Sequence, residues 1–423
     1  MSTYYAFCMF FGVAVIIVFV NTKFIKLQTT IAVTAISLLL SLFIVFAGQY
    51  SLFNQFDKVT SAILNDISFK DFLLQGVLGF LLFAGGLNIK ISSLKDQKWE
   101  IGFLVIFATT LSTFLVGLML WYLCDMYLVH IDFIYCLLFG ALISPTDPIA
   151  VLAIVRKYNA PRRISIQIEG ESLFNDGFGL VIFTTLFTLS FENLEPTLAS
   201  ISMLFIHEAL GGIAFGVFLS VVFIYLLKST NDHAMELLLT MAIPSTGFAL
   251  ANMLHLSGAL AMVVSGIIIG NFTENLSKES QDHLEQFWNL IDEYLNTILF
   301  LLIGFALIPI ASSSKHLNYI LMILVIPLVL IARYISVKFC FFFFNFFRTY
   351  NAYSISLLTW GGLRGGLALA LALSIPNGFM INELDIELRE FIISITYSVV
   401  LFSILIQGSS ITPLVERSKI KQK

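Results

Sequence analysis

About thirteen apolar stretches, each near the ~20 residues that carry a helix across a bilayer, run almost end to end through this 423-residue chain. They fall at 4–20, 29–47, 71–89, 101–124, 133–155, 168–190, 200–227, 235–253, 257–271, 293–311, 317–343, 353–375 and 391–412. Only 12% of the residues are charged, against about 25% in a soluble domain. Backbone in hydrocarbon must satisfy its own hydrogen bonds, so the pattern predicts an all-α integral membrane protein. Residues 1–423 read as one transmembrane domain with no soluble domain. The N-terminal stretch lacks a basic flank and a small-residue cleavage site, and reads as a first spanning helix.

The basic residues give an independent check on the count. Lys and Arg concentrate in cytoplasmic loops. Sixteen of them lie in odd-numbered loops and the C-terminal tail, and only Lys58, Lys70, Lys315 and Arg389 lie in even loops. The alternation places the N-terminus outside and the C-terminus in the cytoplasm of a cell membrane, inner or plasma. Arg333, Lys338 and Arg364 remain inside spans. Lys338 can snorkel to the interface. Arg364, near the middle of its span, needs a partner. The charge pattern holds no basic patch suited to nucleic acid. Cys8, Cys124, Cys136 and Cys340 lack metal-ligand spacing, and no P-loop, HExxH or nucleophile elbow is present. An enzyme is not expected, nor is a bound cofactor.

Three places break the rules for an ordinary spanning helix. The first is Ser144-Pro145-Thr146-Asp147-Pro148 in the fifth span. Two prolines remove donors and unwind the helix, freeing carbonyls beside the Asp147 carboxylate. Such backbone is tolerated at membrane depth only where it is buried or lines a cavity. The second is Glu169-Gly170-Glu171-Ser172-Leu173-Phe174-Asn175-Asp176 entering the sixth span. Ser172 and Asp176 share a helix face at i, i+4, and Glu171 and Asn175 form the neighbouring pair. Oxygens so placed can replace a cation's hydration shell, and the Asp176 carboxylate can take a proton instead. Glu169 suits a helix N-terminus without any further role.

The third place is Gly361-Gly362-Leu363-Arg364-Gly365-Gly366 in the twelfth span, where glycines weaken the helix and admit close backbone approach. The first and third breaks occupy matching places, which points to an inverted-repeat transporter with its site at the midplane. His207 and Glu208, in the seventh span, are given a structural hydrogen-bonding role. Asp292 and Glu293 are placed as cytoplasmic entrance charges. Residues 271–288 are read as a loop carrying an amphipathic helix.

The segments SPTDPIAVLA (144–153), EGESLFNDGFGLVIF (169–183) and GGLRGGLALALAL (361–373) resemble the monovalent cation:proton antiporter family 1, the NhaP- and NHE-type sodium/proton exchangers. FWNLIDEYLNTILFLLIG (287–304) and Gln407-Gly408 extend the resemblance over nearly the whole chain. It implies thirteen helices, broken helices crossing at the midplane, and a homodimer with core and scaffold regions, the core including 133–190 and 353–412. It also implies an ion site at Asp176, Asp147, Thr146, Glu171 and Ser172. Na⁺ would sit on Asp176, Thr146, Ser172 and Glu171, with Asn175 and Arg364 compensating charge. Arg364 is expected to pair with Glu171. Asn175 beside Asp176 implies electroneutral exchange of one cation (Na⁺, or Li⁺) for one proton. Phe178-Gly179 departs from the family pattern and leaves the cation's identity open. A K⁺/H⁺ exchanger is the nearest alternative reading, and a cation channel or a receptor core are others.

Overall fold

The computed structural model describes residues 3–48, 70, 72–158, 161–191, 197–230, 232–274, 276–308, 319–346, 348, 350–351, 353–381, 384 and 386–420. Lys58 and Lys315 lie outside the described residues. In chain order the helices are α1 (Thr3–Val20), α2 (Thr29–Gly48), α3 (Leu73–Leu87), α4 (Ile91–Met126), α5 (Phe133–Ile143), α6 (Ile149–Lys157), α7 (Arg162–Phe191) and α8 (Leu198–Lys228). They continue with α9 (His233–Met253), α10 (Gly258–Thr273), α11 (Lys278–Phe305), α12 (Tyr319–Phe344), α13 (Ser354–Trp360), α14 (Gly366–Leu373), α15 (Leu388–Ser410) and α16 (Thr412–Ile420). A short antiparallel hairpin pairs Met380–Ile381 with Ile386–Glu387 ahead of α15.

Among the described residues each apolar stretch of the sequence is occupied by a helix or by two half-helices. Eight helices among the described residues are long and apolar enough to cross a membrane, and α3, α5 and α10 are shorter apolar ones. Their outer faces expose large apolar side chains, such as Met203, Ile206, Leu210, Phe218 and Val221 on α8, as a lipid-facing surface requires. Inner faces carry small hydroxyls that return a hydrogen bond to their own helix. Ser37 donates to Val33 O at 2.7 Å and Ser220 to Gly216 O at 2.7 Å. Of the stretch 271–288, read as a loop carrying an amphipathic helix, residues 271–273 end α10 and residues 278–288 are helical and continuous with the span that follows, as the first part of α11. Ser277 caps it by accepting from Ser280 N at 3.1 Å, and no Gly or Pro interrupts the chain before Gly304.

The loops sort into two sets in contact. Lys90 pairs with Glu274 at 3.3 Å, Arg162 reaches Ser93 at 3.3 Å, Arg348 donates to Asp96 O at 3.1 Å, and Asn351 donates to Ser418 O at 3.0 Å. These join the third, fifth, ninth and eleventh loops and the C-terminal tail, all on the predicted basic side. At the opposite end Phe379 packs on Tyr135, in the first turn of α5, and on Phe191, the last residue of α7. Each of the first four contacts joins two odd-numbered loops, or an odd-numbered loop and the C-terminal tail.

Two spans break where the sequence demands it. Between α5 and α6 the chain unwinds over 144–148, and between α13 and α14 over 361–365. The two unwound segments cross as an isolated antiparallel bridge of Asp147 with Leu363, in which Asp147 N donates to Leu363 O at 2.8 Å. A π-helical turn in α15, Ser403–Gln407, lies against this crossing. From it Ser403 Oγ accepts from Arg364 N at 2.8 Å, and Gln407 donates to Trp360 O at 3.1 Å. Both fill groups that the broken helix leaves unpaired.

Candidate ion-binding site

The crossing sets four half-helix ends around one point. The C-terminal end of α5 leaves the carbonyls of Ser144 and Pro145 without intrahelical partners, because residue 148 is proline and the chain has turned away. Arg364 Nη1 donates to both, at 2.6 and 2.8 Å. A guanidinium there opposes the negative end of the helix dipole. The N-terminal ends of α6 and α14 face the other charge. Asp147 Oδ1 accepts from Ile149 N at 3.0 Å. A Cβ built on Gly365 would stand 2.6 Å from Asp147 Oδ2, so the carboxylate also lies against the start of α14. Asp147 and Arg364 thus each neutralise helix ends of opposite polarity.

Helix α7 brings the second motif to this crossing. Asn175 Nδ2 donates to Thr146 Oγ1 at 2.9 Å, and Asn175 Oδ1 accepts from Thr146 N at 3.2 Å. Thr146 Oγ1 and Ser172 Oγ lie 3.0 Å apart. Asn175 is wholly buried, and Thr146 and Ser172 nearly so. A neutral amide matches this donor and acceptor pair on one residue, which a carboxylate could not do without holding a proton. Gly179 lets the helices approach, since a Cβ there would meet Pro145 Cγ at 2.5 Å. Phe178 turns away to pack edge-on against Phe205, so its bulk is not beside the carboxylates.

Asp147 and Asp176 both open onto a cavity of about 280 Å³. Arg156, Glu169, Asp292 and Asn296 are also on its wall. At its outer end Arg156 pairs with Glu169 at 2.9 Å, with the Arg side chain 65% exposed. That end belongs to the basic-loop side. Thr146, Ser172 and Asn175 are absent from the wall and lie behind the two carboxylates. Of the two expected entrance charges only Asp292 lines the cavity; Glu293 is exposed. Glu208 accepts from Thr184 Oγ1 at 2.6 Å, the structural bond expected of it.

One expectation is corrected. Arg364 does not form the ion pair with Glu171; Arg333 does, with Nη2 2.5 Å from Oε1 and both side chains buried. The reason is geometric. Arg364 is committed to the freed carbonyls one side of the crossing, whereas α12 carries Arg333 to the face of α7 on which Glu171 sits. The sequence signal for it existed, because Arg333 is also an intramembrane Arg in need of a carboxylate.

Comparison with known proteins extends this picture. A family model described as sodium/hydrogen exchanger, transmembrane, matches residues 9–417. The chain is 39% identical to the Na⁺/H⁺ antiporter NhaP of Pseudomonas aeruginosa over 414 residues, covering 96% of this chain and 95% of that one. It is 34% identical to the Na⁺/H⁺ antiporter NhaG of Bacillus atrophaeus, covering 81% of this chain and 63% of that one. Its fold is similar to that of the sodium proton antiporter MjNhaP1 from Methanocaldococcus jannaschii. The TM-score is 0.77 at 17% sequence identity, over 98% of this chain and 99% of that one.

Proposed function

The chain belongs to the transmembrane sodium/hydrogen exchanger family, a family of transporters, and from that premise we propose that it exchanges Na⁺ for H⁺ at Asp176. The observation that carries this reading is the pair Asp147 and Asp176 at the end of a cavity, beside two unwound and charge-compensated helix breaks. A carboxylate at such a place holds a cation when ionised and releases it when protonated. Thr146 and Ser172 supply oxygens next to Asp176, and Asp147 acts through water from the cavity. Glu171 is assigned to Arg333 and not to the cation.

Exchange is electroneutral in this proposal. Asn175 leaves Asp176 as the one carboxylate of its pair, so one proton replaces one monovalent cation. The chain sits in the cell membrane with the basic loops and C-terminus in the cytoplasm, which makes the cavity inward-facing. It assembles as the homodimer that its resemblance implies. The bundle of 133–190 and 353–412 moves against the remaining helices to present the site to the other side.

Proteoliposomes with an imposed pH gradient test this. Na⁺ and Li⁺ are expected to dissipate the gradient and K⁺ to do so poorly; K⁺ alone being active would replace the reading by a K⁺/H⁺ exchanger. Clamping the membrane at 0 or at about −100 mV is expected to leave the rate unchanged. One net charge per cycle would feel about 2.3 kcal/mol per 100 mV, so a steep voltage dependence contradicts electroneutrality.

The crossing itself gives a further prediction. Gly365→Ala places a methyl group where Asp147 now lies, 2.9 Å from its Cβ. A shift of about 1 Å in a reacting group can cost on the order of a hundredfold, so the exchange rate is expected to fall by about tenfold or more. Wild-type rates from well-folded Gly365→Ala protein would show that Asp147 need not be held in place.

A further inference from the structure

The cavity wall holds one feature that the exchange site does not use. Helix α11 presents Asp292 and Asn296 at i, i+4, on the same face. Asn296 Nδ2 donates to Asp292 Oδ1 at 3.0 Å. That bond uses the amide NH2 and leaves the carbonyl oxygen for another partner. Asn296 is only 3% exposed, and its Oδ1 has no hydrogen-bond partner among the described residues. A buried acceptor left unpaired costs about 1–3 kcal/mol, so a residue kept this way needs something to fill it. Both residues line the cavity that ends at Asp147 and Asp176. The basic group of the wall, Arg156, is taken up by Glu169.

We propose that Asn296 Oδ1 and the free oxygen of Asp292 form an outer subsite for a partly dehydrated monovalent cation on its way to Asp176. One negative charge and one neutral carbonyl suit a monovalent ion with oxygen-seeking chemistry, and they repel anions. The subsite rests on the assignment of this cavity as the ion path. It raises the local cation concentration beside the exchange site, and strips part of the hydration shell before the ion reaches it.

The test compares initial rates in proteoliposomes across Na⁺ and Li⁺ concentrations at fixed pH. Removing an interaction made before the transport step raises KM and spares the maximal rate, so Asp292→Asn and Asn296→Leu are each expected to raise KM for Na⁺ about three- to tenfold with the maximal rate within about twofold. Asn296→Asp keeps an oxygen in place and is expected to hold KM at or below the wild-type value. Because the two residues share one ion, the double variant Asp292→Asn/Asn296→Leu is expected to fall short of the product of the single effects. Glu293→Gln, exposed on the same helix, is expected to change nothing.

A purely structural or water-filled role predicts instead an unchanged KM, or a loss of maximal rate that Asn296→Asp shares; either result overturns the subsite. Asp292→Asn is nearly isosteric and keeps the test open if Asn296→Leu does not fold. Asp176→Asn measured alongside separates the two levels. If it still exchanges, the ion-path assignment fails; if it is dead while Asp292→Asn keeps its KM, only the subsite fails.

Discussion

Asp176→Asn is expected to abolish exchange, lowering the rate by at least about a hundredfold, while the protein purifies folded. The substitution removes the one proton and the one negative charge that cation and proton compete for, and it changes almost no volume. The hydrogen bonds that hold Thr146, Ser172 and Asn175 together do not involve Asp176, so these helix contacts stay in place. Initial rates driven by a pH gradient, together with the elution profile in detergent, measure both halves. Normal gradient-driven Na⁺ flux from the variant would remove Asp176 from the mechanism.

The second large effect is on stability. Arg333 and Glu171 are 2% and 1% exposed and lie in the protein interior. Removing one member strands the other charge, which costs about 3–5 kcal/mol for a buried pair. Glu171→Gln and Arg333→Gln are each expected to lower the melting temperature in detergent clearly. The double variant is expected to melt closer to the wild type than either single, because no charge is then left unpaired. The same pair of measurements on Arg364 gives a contrast. Arg364→Gln loses two bonds to backbone carbonyls but strands no carboxylate, so combining it with Glu171→Gln should add the two losses. Recovery of stability in the Arg364→Gln/Glu171→Gln double variant, and none in the Arg333→Gln/Glu171→Gln one, would restore the pairing that the sequence suggests.

That mispairing marks where a sequence stops being informative. Hydropathy places the helices, since length and apolar content are local properties and the bilayer supplies one common constraint. The breaks at 144–148 and 361–365 were equally legible, because proline removes donors and glycine weakens a helix wherever they stand. Their crossing is implied by the family resemblance, and it is present as the Asp147–Leu363 bridge. Partner choice is different. Glu171 on α7 had two intramembrane arginines to meet, and helical period assigns a residue to a face without saying which neighbour faces it. The same ambiguity hid the orientation of Phe178, which lies next to Asn175–Asp176 in sequence yet packs on Phe205 of α8.

Cavity access was also unreadable. Thr146, Ser172 and Asp176 belong to contiguous motifs, but only Asp176 of the three reaches the cavity wall. Asn296 lies in the segment 287–304 that shares the family resemblance, but nothing in the sequence singles it out from its neighbours. Its unpaired oxygen emerges only when the turn of helix below it, with Asp292, is placed against the crossing. The π turn at Ser403–Gln407 is a similar case, since its two side chains fill groups on a different helix.

Proton counting during cation binding tests the central claim most directly. Na⁺ is titrated into purified protein by calorimetry in buffers of different ionisation heat, at several pH values. The account predicts about one proton released per Na⁺ bound, with the apparent affinity weakening as the solution is acidified towards the one-for-one limit of about tenfold per pH unit. Na⁺ binding of constant affinity with no proton released would contradict it.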